Sequence, residues 1–276
     1  MESVVVDGVR IAYERAGRGP SVLLLGGTGM PPIAWQVSGF SGAVTGAGFE
    51  VISYAARGVV PSDAPPAPYT VEQMAGDAAG LLDALGLRDV CVIGYSLGSF
   101  TVESLALARP DLVRAAVLLA GAGPATPLLR ATVAMERELI AACGRIPEAA
   151  ATFQTLFSGL PPASLRDDEN LVEQWVRMLG MQGQMWTSRE GENGQAAAAD
   201  TWVDRANRMD RLRDITVPVL VAAFQHDPLF PPRVGRIAAD ALPRGEFVEI
   251  PHAAHAGLMT HPTETISVIM EFLTRA

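Results

Sequence analysis

The sequence predicts an α/β protein whose mostly parallel sheet is covered by helices on both faces. Short apolar runs alternate with segments of helical spacing along most of the 276 residues, which is the pattern of such a sheet. The alternation stops between residues 123 and 215, where helical patterns follow one another without a convincing strand. We therefore predict a core formed by residues 1–122 and 216–276, covered by a helical cap, or lid, formed by residues 123–215.

The composition restricts the class of protein and its partners. A content of 49% hydrophobic and 18% charged residues is typical of a globular chain with a large core. The net charge of −9 argues against binding to nucleic acid or to anionic membranes. The first residues do not resemble a signal peptide, and the apolar runs are shorter than the ~20 residues of a spanning helix. We expect a cytoplasmic protein that acts on a small molecule; its oligomeric state stays open.

The elements follow from local patterns. Asp7-Gly8 joins two alternating runs, so an antiparallel hairpin should open the chain. Thr70, with Gln73 three residues later, is the expected N-terminal cap of a helix that ends before Gly86. Further strands are predicted at about 21–25, 49–54, 89–94, 113–121, 217–224 and 246–250, and further helices at about 33–47, 100–108, 128–143, 147–157, 171–185, 196–209 and 263–273.

The segment Gly94-Tyr-Ser96-Leu-Gly98 stands between an apolar run and a helical segment. A serine on such a strand–turn–helix junction has a strained backbone and presents its hydroxyl at the top of the sheet. The two glycines fit a turn that is too crowded for a Cβ atom. Ser96 is therefore the candidate nucleophile.

A serine nucleophile needs a base held by a third group. The chain has four histidines, and two of them, His252 and His255, follow the last predicted strand. Asp227 follows the strand before it. Because the carboxyl ends of parallel strands open on one side of the sheet, these residues can meet Ser96 there.

With Ser, Asp and His in this chain order, the sequence resembles the alpha/beta-hydrolase fold superfamily, in the group of lidded serine esterases, carbon–carbon bond hydrolases and cofactor-free haloperoxidase-like enzymes. The resemblance covers nearly the whole chain outside the cap. It implies that Ser96 is the nucleophile and Asp227 the acid. The position of Pro262, seven residues after His255, makes His255 the base in preference to His252.

The resemblance also implies two oxyanion donors, the backbone N–H groups of Leu97 and Thr28. The chain departs from the family pattern beside Thr28, because Gly26 stands where relatives carry a histidine. We expect the small residues of this loop either to leave it mobile or to let substrate approach closely. A second departure is Ala55, where relatives carry an aspartate, and it removes an ion pair expected for Arg57.

The substrate pocket is predicted less directly. An apolar stripe in the cap is expected to pack the cap on the core, and part of it could line a pocket. Ser188 to Gly194 is expected to form a solvated loop. The predicted pocket residues are Gly27, Trp35, Tyr95, Trp175, Met178 and Trp186.

The function predicted from these residues is hydrolysis of an ester, thioester or lactone of a medium-sized, largely apolar substrate through an acyl-enzyme, with cleavage of a carbon–carbon bond as a further possibility. Cys91 and Cys143 form no metal-binding pattern, and neither metal nor organic cofactor is expected. Two alternatives stay open: acyl transfer, cyclisation or cofactor-free chemistry on the same fold, and a ligand receptor without catalysis.

Overall fold

The computed structural model describes residues 1–180 and 182–276. Its strands are β1 (Glu2–Val6), β2 (Val9–Gly17), β3 (Ser21–Leu25), β4 (Glu50–Tyr54), β5 (Val90–Tyr95), β6 (Val113–Leu119), β7 (Val219–Phe224) and β8 (Gly245–Ile250). They form one sheet in the order β1-β2-β4-β3-β5-β6-β7-β8. β2 pairs antiparallel with β1 and β4, and every other neighbouring pair is parallel. The mostly parallel sheet predicted from the alternating pattern is confirmed.

The helices lie between these strands and after β8. They are α1 (Ile33–Val37), α2 (Phe40–Gly46), α3 (Val71–Ala84), α4 (Leu97–Ala108), α5 (Pro127–Cys143), α6 (Glu148–Gly159), α7 (Pro162–Asp167), α8 (Glu169–Leu179), α9 (Arg189–Val203), α10 (Arg208–Arg211), α11 (Pro232–Ala241), α12 (Gly257–Thr260) and α13 (Pro262–Leu273). Short 3₁₀ helices cover Gln182–Met185 and Leu212–Asp214. In the part of the chain that the structure describes, no helix is both long and apolar enough to cross a membrane.

Local chemistry explains the first elements. Asp7 and Gly8 both have positive φ, 47° and 80°, as the tight turn between β1 and β2 requires. At the start of α3, the Gln73 N–H donates to the Thr70 hydroxyl and the Thr70 N–H donates to the Gln73 side chain. This reciprocal capping box begins the helix where the sequence predicts it.

The core occupies both faces of the sheet. Leu23 and Val92 contribute to one buried cluster, whereas their chain neighbours Leu24 and Ile93 contribute to a cluster on the opposite face. Successive side chains of a strand point to opposite faces, so strands with both faces covered read as continuous apolar runs. These central strands hold the candidate site at their carboxyl ends.

The segment between β6 and β7 consists of helices α5 to α10 and their connections in its described residues. α5 packs against α9, and α6 against α8. One expectation for this segment is wrong: residues 189–194 form the first turns of α9 and not a solvated loop. Gly191 of α9 is packed so closely on the backbone of Gly58 that a Cβ atom would lie 2.4 Å from the Gly58 oxygen. The division into core and cap stays a prediction.

Candidate active site

Ser96 lies at the junction of β5 and α4. Its backbone has φ 53° and ψ −118°, outside the regions that L-residues ordinarily occupy. The turn is tight: a Cβ atom at Gly94 would lie 2.2 Å from the Gly98 oxygen, and one at Gly98 would lie 2.1 Å from the Leu25 oxygen. The hydroxyl of Ser99 braces the turn from inside, donating to the Gly94 oxygen at 2.8 Å. The sequence pattern did not predict this hydrogen bond of Ser99.

The structure brings Ser96, His255 and Asp227 together. His255 Nε2 lies 3.0 Å from Ser96 Oγ, and His255 Nδ1 lies 2.7 Å from Asp227 Oδ2. The second carboxylate oxygen, Oδ1, accepts the backbone N–H groups of Leu229 and Phe230, each at 2.9 Å. Asp227 is 2% exposed, so the carboxylate is oriented by the protein and not by water.

This hydrogen-bond chain selects one tautomer of His255. A carboxylate only accepts hydrogen bonds, so Nδ1 donates its proton to Asp227. Nε2 is then free to accept the hydroxyl proton of Ser96. The arrangement can therefore pass a proton from the serine hydroxyl to the imidazole while the carboxylate stabilises the imidazolium.

Contacts from several elements hold His255. The Tyr95 hydroxyl donates to the His255 carbonyl at 2.7 Å, and the two rings stack at 5.6 Å. Burial raises the pKa of Tyr95, so the phenol stays protonated and remains a donor. The Phe230 ring stacks on the imidazole at 5.7 Å, and the His255 N–H donates to the Ser158 carbonyl near the end of α6 at 3.0 Å.

The other histidines lie elsewhere. His252 is exposed, has φ 63°, and uses its backbone N–H to donate to the Gln225 side chain. The His226 N–H donates to the Ala253 carbonyl, and the His261 ring contacts the Thr260 hydroxyl. Of the four histidines, only His255 has a ring hydrogen-bonded to Ser96 and Asp227 among the residues that the structure describes.

The predicted oxyanion donors lie in two turns. Leu97 is the first residue of α4, where a backbone N–H has no helical partner. Thr28 is exposed and follows Gly27, at which a Cβ atom would lie 3.2 Å from that of Ser96. Within the described part of the chain, neither N–H donates a hydrogen bond to the protein. Both groups are therefore without a protein acceptor in this part of the chain, and their role as oxyanion donors stays a prediction.

Hydrogen bonds connect the glycine loop before α1 to the rest of the protein, and the two alternatives, mobility or close approach of substrate, stay predictions. The Met30 N–H donates to the Gly27 carbonyl at 3.0 Å. The Gly29 N–H donates at 2.9 Å to Oε1 of Gln195, a residue of α9 that is 0% exposed. Sequence reasoning missed Gln195, although a polar residue beside an alanine run in an amphipathic segment is a detectable signal.

Arg57 forms an ion pair with a residue other than position 55, where Ala55 cannot supply one. Its guanidinium donates to both carboxylate oxygens of Asp77 in α3, at 2.7 and 2.8 Å. Both side chains are buried. Burial raises the pKa of the Asp77 carboxyl, and the hydrogen bonds from Arg57 oppose that rise. An acid from another element thus replaces the one expected beside Arg57.

The predicted pocket residues are placed differently from one another. Trp35 is 1% exposed and packs on Phe40 in the core, at a ring separation of 5.2 Å. Trp175 is buried in a cluster with Ala256, the neighbour of His255, whereas Met178 is 38% exposed. Trp186 covers the glycine loop, since a Cβ atom at Gly29 would lie 2.7 Å from its ring. Their role as a substrate pocket stays a prediction.

A cavity of about 190 Å³ lies within residues 123–215 and is lined by side chains from α6, α8, α9 and their connections. Its charged lining residues are Arg145, Glu148, Arg189 and Glu192. It shares Trp186 with the cover of the glycine loop, but Ser96 and His255 are not among its lining residues. Among the described residues, no cluster of three or more His, Cys, Asp or Glu side chains could hold a metal ion.

Comparison with known proteins identifies the family to which this fold belongs. A family model described as alpha/beta hydrolase fold matches residues 20–262. The chain belongs to that family.

One relative in this family is similar both in sequence and in structure. BpoC of Mycobacterium tuberculosis H37Rv, provisionally named a non-heme bromoperoxidase, is 30% identical over 269 residues, which cover 96% of this chain and 97% of that protein. Its crystal structure matches with a TM-score of 0.86 at 29% identity, covering 96% of each chain.

Two solved hydrolases are more distant. A thermophilic esterase from Thermogutta terrifontis matches with a TM-score of 0.81 at 26% identity, covering 100% of this chain and 99% of that chain. An enol-lactonase from Burkholderia xenovorans LB400 matches with a TM-score of 0.80 at 25% identity, covering 99% of this chain and 100% of that chain. The resemblance read from the sequence is confirmed at the level of fold and family.

Proposed function

We propose that this protein is a serine hydrolase that cleaves an ester, thioester or lactone of a medium-sized, largely apolar substrate. The observation that carries the proposal is the continuous hydrogen-bond chain from Ser96 through His255 to Asp227, at 3.0 and 2.7 Å, built on a strained turn. Such a chain is what a weak hydroxyl nucleophile needs in order to react near neutral pH.

In the first half of the proposed reaction, Ser96 Oγ attacks the substrate carbonyl carbon while its proton passes to His255 Nε2. The carbonyl oxygen becomes an oxyanion, and the N–H groups of Leu97 and Thr28 donate to it. Such a donor contributes about 3 kcal/mol to transition-state stabilisation. When the bond to the leaving group breaks, His255 returns the proton to that group, leaving Ser96 acylated.

In the second half, His255 takes a proton from water, whose oxygen attacks the acyl carbon. The second oxyanion collapses, the acid leaves, and Ser96 regains its proton from His255. Asp227 keeps Nδ1 protonated throughout, and its buried carboxylate stabilises the imidazolium in each half. His255 accepts and returns the proton in each half of this scheme.

The apolar substrate class is supported by the surroundings of the triad. Phe230 and Tyr95 stack on the imidazole, and Trp175 packs in the apolar cluster that includes Ala256. We infer that residues 123–215 act as the cap over this site. The Ser158 carbonyl accepts the His255 backbone N–H, and the Trp186 ring lies against Gly29 of the glycine loop. Two relatives in fold, an esterase and an enol-lactonase, carry names for carbonyl hydrolysis.

The similarity to BpoC, whose name is that of a non-heme bromoperoxidase, favours keeping the alternative of cofactor-free chemistry on the same triad. A separate alternative is acyl transfer, in which the acyl group of the acyl-enzyme passes to an acceptor other than water. Mass spectrometry of the products separates the two functions: hydrolysis releases free acid in the presence of an added alcohol or amine, whereas transfer yields the new ester or amide.

The nucleophile can be tested directly with a fluorophosphonate probe. We expect the wild-type protein to be labelled at Ser96, and both labelling and hydrolysis of p-nitrophenyl esters to be lost in Ser96→Ala. Ser267→Ala is the matched control, because Ser267 is exposed on α13, away from the site. A folded wild-type protein that neither reacts with the probe nor cleaves any ester of a graded acyl series would contradict the proposal and favour a ligand receptor.

A further inference from the structure

We propose that Gln195 is a positioning residue, through which α9 holds the oxyanion loop in its active conformation. The inference rests on the proposed serine-hydrolase function. It assigns to a cap residue the task of orienting the turn that contains the Thr28 donor.

The Gln195 side chain bridges two backbone segments that are distant in sequence. Its Oε1 accepts the Gly29 N–H at 2.9 Å, and its Nε2 donates to the Arg57 carbonyl at 2.9 Å. The residue is 0% exposed, so water does not compete for either group. Because one end of the amide faces a donor and the other an acceptor, a single orientation of the amide satisfies both.

The turn that Gln195 contacts belongs to a type whose central peptide can rotate. Residues 27–30 are closed by the bond from the Met30 N–H to the Gly27 carbonyl at 3.0 Å. Gly29 has φ 65°, while Thr28 is not among the residues of positive φ. This is the pattern of a type II turn, and a type I turn differs from it mainly by rotation of the central peptide, here Thr28–Gly29.

Glycine adopts both turn types with little steric cost. The hydrogen bond from Gly29 to Gln195 engages the N–H of that central peptide and so favours the observed form. The preceding peptide, which carries the Thr28 N–H, is held by the Gly27–Met30 bond. Without Gln195 the central peptide can rotate, which displaces the Thr28 carbonyl and loosens the adjacent donor.

The other end of the bridge is rigid. Arg57 donates to both oxygens of Asp77, at 2.7 and 2.8 Å, and both side chains are buried. The Arg57 carbonyl is therefore a fixed reference for the Gln195 amide. Gly26 has no side chain that could hydrogen-bond and support the glycine loop. The Gln195 bridge provides that support instead.

The first test is Gln195→Leu, which keeps the approximate volume of the side chain and removes both hydrogen bonds. We expect kcat for a p-nitrophenyl ester to fall about 10- to 100-fold, since misplacing one oxyanion donor costs rates of that order. KM should change less than about threefold, because the donor acts mainly in the transition state. The rate of fluorophosphonate labelling at Ser96 should fall together with kcat.

Asp200→Asn is the matched control. Asp200 lies on the same helix and accepts from Arg137 of α5, so its replacement breaks a contact between cap helices without touching the glycine loop. If Gln195→Leu lowers the melting temperature but keeps wild-type kcat, Gln195 is a structural residue only and the inference is wrong. Failure of the wild-type protein to react with probe or ester would instead overturn the proposed function.

Gln195→Glu decides the matter if the leucine variant does not fold. A protonated carboxyl can accept from Gly29 and donate to Arg57, whereas a carboxylate can only accept and faces the Arg57 carbonyl. We expect the ratio of variant to wild-type kcat to rise toward one as the pH falls and the introduced carboxyl protonates. A ratio near one at every pH, or one that falls on acidification, would overturn the inference.

Discussion

Ser96 shows how a single residue combines strain and chemistry. Its φ of 53° and ψ of −118° belong to conformations that cost on the order of 1–3 kcal/mol and persist only when the surroundings impose them. Here Gly94, Gly98 and the Ser99 hydroxyl impose them. The serine hydroxyl is thereby held at 3.0 Å from the imidazole of His255.

The choice between the two histidines of one loop gives a prediction at this scale. His255→Ala should lower kcat by about 10⁴-fold or more, because it removes the group that we propose as base and acid of both half-reactions. His252→Asn should leave kcat within about twofold, since His252 is exposed and asparagine tolerates its positive φ. Steady-state kinetics on a p-nitrophenyl ester measure both values.

A comparable loss of kcat in the two variants would contradict the assignment of His255 as the base. So would retention of activity in His255→Ala alone. Circular dichroism of each variant separates loss of a catalytic group from loss of the fold.

At the scale of elements, a buried ion pair connects α4, the helix that follows Ser96, to α10 near the end of the predicted cap. Arg208 of α10 donates to both carboxylate oxygens of Glu103 in α4, at 3.0 and 2.8 Å. The side chains are 5% and 1% exposed. Burial raises the pKa of the Glu103 carboxyl, and Arg208 opposes that rise. A third Arg208 hydrogen bond is donated to the carbonyl of Gly123, the first residue of the predicted cap, at 2.8 Å.

Breaking this pair should destabilise the protein strongly. Arg208→Met leaves the Glu103 carboxylate buried without its partner, which typically costs about 3–5 kcal/mol in the free energy of unfolding. Arg130→Met is the matched control, because Arg130 pairs with Asp204 on the surface, where both side chains are about half exposed, and such pairs contribute less than about 1 kcal/mol. Urea unfolding of both variants gives the comparison, and equal losses of stability would contradict it.

At the scale of the whole molecule, a chain of net charge −9 places one carboxyl, that of Glu136 in α5, near the acids Asp200 and Glu192. Burial, together with Asp200 and Glu192, raises the pKa of Glu136, while a hydrogen bond from Gln154 opposes the rise. A carboxyl whose pKa is higher in the folded state binds its proton more tightly there. Such a carboxyl therefore favours folding at low pH, and it opposes folding as the pH rises above its pKa in the unfolded state.

Glu136→Gln should thus stabilise the protein at neutral pH and leave it unchanged or slightly less stable in acid. We expect a higher melting temperature than that of the wild-type protein at neutral pH, because glutamine has no charged form to bury. Glu138→Gln, on the exposed side of the same helix, should shift the melting temperature little. Thermal unfolding at a series of pH values tests this, and a lower melting temperature for Glu136→Gln at neutral pH would contradict it.

Patterns that act over a few residues predicted much of this molecule. The alternation of apolar runs and helical segments predicted the parallel sheet, and Asp7-Gly8 and Thr70 predicted a turn and a helix start. The glycines around Ser96 predicted its turn, and the strand order predicted that Asp227, His252 and His255 could meet it. These features are encoded locally or by the rule that parallel strands end on one side of the sheet. The choice of His255 came from the resemblance to the alpha/beta-hydrolase fold superfamily.

Long-range packing decided what those patterns could not. Gly29 and Gln195 are 166 positions apart, and Arg57 takes its partner from a different element, α3. The spacing of apolar residues does not predict such pairs, because they depend on how the helices pack on the sheet. The sequence by itself thus determined the sheet, the candidate nucleophile and acid, and two candidate bases, between which the family resemblance chose. Only the tertiary structure decided which buried polar groups support the loops around them, since a buried donor or acceptor must find its partner wherever packing brings one near.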